Sequence, residues 1–134
     1  MVYMDAYYIQ NVFIEVEEMK IAIVGSRSLI NVSIDPYIPK DTKEIVSGGA
    51  KGIDSLAAKY ANEKKLKLTE FLPLYEKYGR AAPIVRNKEI VNYADKVIVF
   101  WDGSSKGAAS VIRYAKEIKK VTEVILINQK KDEQ

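Results

Sequence analysis

The sequence predicts a three-layer α/β/α domain around a mainly parallel, five-stranded core sheet, and three observations carry that prediction. Three short apolar runs, at residues 21–24, 97–101 and 124–127, are β-branched and near-continuous, as strands are when helices cover both faces. Amphipathic helical stretches alternate with the strands along the chain. Glycine-rich turns join strands to the helices that follow them. This order of elements is that of a doubly wound, Rossmann-like α/β sheet.

Residues 1–18 stand outside that unit, because Met19-Lys20-Ile21 is the natural opening of its first strand. Tyr3, Tyr7, Tyr8, Val12, Phe13, Ile14 and Val16 make this N-terminal extension apolar enough to dock. It is read as an added edge strand, as an oligomer contact, or as the product of an upstream start codon. The Rossmann-like domain then covers 19–128. Pro36 and Pro39 break any helix in 28–41, so that stretch is predicted to be mostly loop. Weaker strands are predicted at 44–46 and 66–72. A helix is predicted over 53–65, where Ile53, Leu56, Ala57, Tyr60 and Ala61 share one face. A second covers 83–93, with Pro83 in the first turn that tolerates it. A third covers 108–120, with Ala108, Val111, Ala115 and Ile118 on one face. Residues 129–134 form a polar tail.

Composition narrows the chemistry. With no cysteine there are no disulfides, thiolate nucleophiles or cysteine zinc sites. With no histidine, the commonest general base and metal ligand is gone too. Carboxylates, Lys, Tyr, Ser, backbone amides or the ligand itself have to supply any reaction, which favours binding over catalysis. A net charge of +3 is mild for a dedicated DNA-binding domain. No apolar run approaches the roughly 18–20 residues of a spanning helix. Asp5, Glu15, Glu17 and Glu18 occupy the region where a secretory signal is basic. The expectation is a cytoplasmic protein with no membrane partner.

In a doubly wound sheet, ligands sit beyond the carboxyl ends of the strands, near the reversal of strand order. Four segments fall at that edge. The sharpest is Ser47-Gly48-Gly49-Ala50-Lys51-Gly52-Ile53-Asp54, whose glycines permit positive φ and close approach of a ligand. The helix behind it offers free amides and a positive dipole end to an anion. Asp54 caps that helix, reaches a ribose hydroxyl or reaches a neighbouring loop. The turn Gly25-Ser26-Arg27 follows the first strand. Asp102-Gly103-Ser104-Ser105-Lys106-Gly107 leads from the second of the three apolar strands into its helix. Arg80 and the pair Arg86-Asn87 complete the set, so three of the four arginines lie at this edge and Arg113 does not. Arginine suits bidentate phosphate contact. Each segment also reads as an ordinary turn or a surface ion pair; it is their concurrence that points to an anionic ligand. Tyr75 and Tyr78 flank the arginine loop, where either could stack on a base. No Gly-x-x-x-x-Gly-Lys-Ser/Thr string and no Gly-x-Gly-x-x-Gly string is present, so neither a P-loop nor the ordinary NAD fingerprint applies.

In combination, residues 20–27, 47–54, Arg86-Asn87 and 102–108 resemble the SLOG superfamily of Rossmann-like nucleotide-ligand-binding domains, in its YspA/YpsA-related branch. The Gly-Gly-Ala-Lys-Gly-Ile-Asp string and the Arg-Asn pair are similar also to the DNA-processing DprA proteins, and more distantly to LOG-type phosphoribohydrolases. The resemblance implies a pocket for a nucleotide-like small molecule such as ADP-ribose, NAD or a nucleoside phosphate, held by a sensor or carrier. Two other functions stay open. A nucleotide N-glycosidase would draw on Asp54 and Asp102, although Val111 stands where the LOG-type loop carries its glutamate. A DprA-like protein would bind single-stranded DNA. A homodimer is expected from the apolar extension and exposed tyrosines.

Overall fold

Side chains of a strand alternate between its two faces, so a near-continuous apolar strand feeds two cores at once. The computed structural model, which describes residues 6–9, 12–15 and 19–128, has that arrangement. Strands β3 (Met19–Gly25), β4 (Thr42–Ser47), β5 (Lys67–Glu70), β6 (Lys96–Trp101) and β7 (Val121–Leu126) form one sheet in the order β5-β4-β3-β6-β7, every neighbouring pair parallel. Helices α1 (Ile53–Lys64), α3 (Ala82–Tyr93) and α4 (Lys106–Glu117) are the crossovers, and a one-turn helix α2 (Tyr75–Tyr78) precedes α3. The expected Rossmann-like α/β fold is therefore what the chain adopts. Strand order reverses between β3 and β6.

On one face, Ile21, Ile23, Ile45, Ile98 and Phe100 pack under Ile53, Ala57 and Ala61 of α1. Leu29, Ile34 and Ile38 of the proline-containing loop join them, with a single 3-10 turn at Asp35–Tyr37. On the other face, Ala22, Val24, Val46, Val97 and Val99 meet Ile90 and Val91 of α3 and Ala108, Val111 and Ala115 of α4. Each fully buried aliphatic side chain of this kind contributes about 1.5–3 kcal/mol. Glu44, 8% exposed, places a carboxylate on the α3 side. The Thr69 and Tyr93 hydroxyls each donate to its carboxylate at 2.6 Å. Burial pushes the Glu44 pKa up, but those bonds and the neighbouring lysines outweigh it and hold it below its ordinary value.

Three expectations are corrected. The last strand was expected at 124–127, buried on both faces. It begins at Val121 because Lys119 takes a left-handed conformation (φ 60°) that ends the preceding helix, with the Lys120 amide donating to Ala115. Being last in the sheet order, β7 leaves Val121, Val124 and Leu126 exposed. An added edge strand was one of the three readings left open for the extension. Its strands β1 (Ala6–Ile9) and β2 (Val12–Glu15) instead pair antiparallel with each other as a two-stranded sheet of their own. The rest of 1–18, and the polar tail 129–134, lie outside the described residues. Among the described residues no helix is long and apolar enough to cross a membrane.

Candidate functional site

The carboxyl ends of β3, β4, β5 and β6 open on the α3/α4 side into a cleft of about 450 Å³. That size lies in the range of small-molecule sites, and the cleft sits beside the reversal of strand order, where such sheets bind ligands. Three helices begin at its wall: α1 through Ala50 and Asp54, α3 through Pro83, Arg86 and Asn87, and α4 through Ser105 and Gly107. Val24, Ile90, Ala108 and Val111 give it an apolar floor continuous with the core.

Of the residues expected at the site, Gly25, Arg27, Gly48, Gly49, Ala50, Asp54, Arg86, Asn87, Ser105 and Gly107 line this cleft. The others stand behind or beside it. Ser26 and Ser47 are buried; the Ser26 hydroxyl accepts from the Asp102 amide at 3.0 Å, tying the β3 turn to the β6 turn. Gly52 is packed beneath the β3 turn. Arg80 is exposed in a 3-10 turn (Gly79–Ala81) and does not line the cleft, nor do Asp102, Gly103, Ser104 and Lys106. Sequence reasoning missed Leu72, Pro73 and Pro83 as walls. Leu72 and Tyr75 are 56% and 60% exposed, and large apolar side chains in a loop after a strand were the available signal. Tyr75 does line the cleft, and Tyr78 does not.

Arg86 organises the β4 and β5 ends of the site. Its guanidinium donates to the Gly48 carbonyl at 2.8 Å, to the Phe71 carbonyl at 3.3 Å and to the Asn87 side chain at 2.9 Å. Asn87 in turn donates to Ser110 on α4 at 3.3 Å. Gly48 lies between this guanidinium and the Asp54 carboxylate. A Cβ there would come within 2.7 Å of Arg86 and 2.9 Å of Asp54, so this glycine is required for space and not for positive φ. Asp54 is 7% exposed and accepts from the Ala50 amide at 3.0 Å. Burial raises its pKa; the Ala50 amide and Arg86 oppose that, and Glu70 adds to it.

The two amide-rich turns are thus partly self-satisfied. Asp102 accepts from the amides of Ser104 and Ser105 at 2.9 and 2.8 Å and from the Ser28 hydroxyl at 3.1 Å, and Ser105 caps α4 by accepting from Ala108. Those backbone bonds lower the Asp102 pKa from 3.8 to about 2. A carboxylate with a depressed folded-state pKa stabilises fully above its unfolded value and loses that contribution as pH falls through the folded one. Asp102→Ala is therefore expected to cost about 1 kcal/mol at pH 7, after allowing for solvent screening. In urea titrations the difference from the parent should shrink between pH 4 and pH 2; an equal difference at both ends would refute this role.

No family model, curated protein or solved structure matches the chain.

Proposed function

We propose that this domain binds a nucleotide or nucleotide-derived phosphate ligand in the cleft, as a sensor or carrier. The observation that carries the reading is the convergence of Arg27, Arg86 and the N-termini of α3 and α4 on one 450 Å³ cleft at the strand-order reversal. Helix starts and arginines attract anions, and Tyr75 with Leu72 and Pro73 offers an apolar wall for a base. The resemblance to SLOG domains supports the same class of ligand. A hydrolase built on Asp54 and Asp102 is less favoured, because only Asp54 faces the cleft while Asp102 is occupied with the α4 turn. Single-stranded DNA binding has no specific support beyond the resemblance to DprA. Residence in the cytoplasm and assembly as a homodimer belong to the same proposal, the latter supported by the exposed Val121, Val124 and Leu126 of β7.

The test is thermal unfolding against a panel containing AMP, ADP-ribose, NAD and a short single-stranded oligonucleotide. A ligand present at 100 times its Kd stabilises the folded state by about 2.7 kcal/mol. At least one small nucleotide is expected to raise Tm by several degrees, and Arg27→Ala to weaken that response. A panel without any response, or a response to the oligonucleotide alone, would overturn the proposal.

A further inference from the structure

The β4–α1 turn, which the sequence offers as a phosphate cradle, is already furnished with a negative charge. Asp54 stands in the first turn of α1, and its Oδ2 takes the Ala50 amide at 3.0 Å. Among the described residues its Oδ1 has no donor of good hydrogen-bonding geometry, and the Gly48 amide, close to the carboxylate, favours its charged form. Among the described residues no buried side-chain polar atom lacks a partner, so Oδ1 is open to the cleft that Asp54 lines. Arg86 lies on the other side of Gly48, with its Nη1 directed at the Gly48 and Phe71 carbonyls and its Nε at Asn87. A phosphate seated on this turn would face a buried carboxylate and find the Ala50 amide taken.

Across the cleft the balance is reversed. The amides of Lys106 and Gly107 at the start of α4 have no acceptor within the described residues. Nothing lies within 4 Å of the place a Gly107 Cβ would occupy, so the backbone there can be approached closely. Arg27 lines the cleft from the β3 turn, and among the described residues Asp54 is the one carboxylate that lines it.

We infer that Asp54 sets both the orientation and the sugar specificity of the ligand. Its open Oδ1 accepts from the vicinal hydroxyls of a ribose, while its charge keeps phosphate off the β4–α1 turn and on the α4 start. The ligand class is then a ribonucleotide carrying a free 2′,3′-diol. This inference rests on the nucleotide reading, and a deoxyribose strand lacks the group that Asp54 would recognise.

Calorimetric titration of AMP, 2′,3′-dideoxy-AMP and inorganic phosphate into the parent protein and Asp54→Asn tests it. The substitution keeps an acceptor for the Ala50 amide and removes a buried charge, so the variant is expected to fold; its melting curve checks that. The parent should bind AMP about tenfold or more tighter than the dideoxy analogue, the scale of a hydrogen bond to a charged group. Asp54→Asn should abolish that preference and bind inorganic phosphate more tightly than the parent. An unchanged AMP preference in Asp54→Asn, or phosphate bound no more tightly than by the parent, would overturn the inference. If neither nucleotide binds the parent, the nucleotide reading falls, and the phosphate comparison alone decides whether Asp54 excludes anions.

Discussion

Replacing Gly52 with alanine is expected to destabilise the domain by about 3 kcal/mol or more. Gly52 precedes α1 with φ 71° and ψ −125°, a conformation that side chains other than hydrogen rarely adopt. Its Cβ would also stand 2.5 Å from the Arg27 carbonyl oxygen and 2.7 Å from that of Ser26. Both obstacles are backbone, so no rotamer change relieves them. The β3 turn and the β4–α1 turn meet at this residue, and separating them would displace Arg27 and Ala50, which both line the cleft. The melting temperature should fall by about 10 °C for a domain of this size. Gly107→Ala is the control: the added methyl meets nothing within 4 Å, and alanine is favoured over glycine in a helix. A Gly52→Ala protein melting within about 2 °C of the parent would show that this junction yields, and that the turns are not rigidly held.

This junction also shows how far the sequence could be read. The Gly-rich string was legible as a strand-to-helix turn because three glycines precede an amphipathic run. Which glycine does what was not: Gly52 separates two turns, and Gly48 makes room for Arg86 and Asp54. Such roles depend on distant segments, the β3 turn for Gly52 and α3 for Gly48, and no local pattern records them. Apolar runs located β3 and β6 well, since both lie inside the sheet and must be apolar on two faces. The same pattern misjudged β7, because the position of a strand in the sheet is a property of topology and not of its own residues. Arg80 and Arg86 looked equivalent, six residues apart. The 3-10 turn and the start of α3 send only Arg86 to the cleft. For Asp54 and Asp102, spacing at a helix start is the same for a cap as for a ligand contact. The folded structure is needed to see that Asp102 serves the turn while Asp54 is shared between turn and cleft.

Arg86→Ala is expected to cost about 2–4 kcal/mol at neutral pH, by two separable routes. The first is loss of donors to the half-buried Gly48 and Phe71 carbonyls, which join the ends of β4 and β5 to α3. The second is electrostatic. Arg86 is the cation that opposes burial and Glu70 in setting the charge of Asp54, so its removal raises the Asp54 pKa further. A carboxyl with a raised folded-state pKa favours the fold below its unfolded value and loses that advantage as pH rises through the folded one. The electrostatic part of the Arg86→Ala penalty should therefore be small near pH 4 and grow towards neutrality, while the carbonyl part stays constant. Arg86→Lys keeps the charge without the planar fork, so it should recover the pH-dependent part only. Adding Asp54→Asn to Arg86→Ala should recover the electrostatic part of the loss at pH 7 and leave the carbonyl part, because the charge left unpaired is removed along with its partner. Strict additivity of the two substitutions would mean that Arg86 acts on the backbone alone. The coupling assigned here to the Arg86–Gly48–Asp54 stack would then be absent. Because the same stack forms one wall of the cleft, a measured coupling would also tie the charge of that wall to pH.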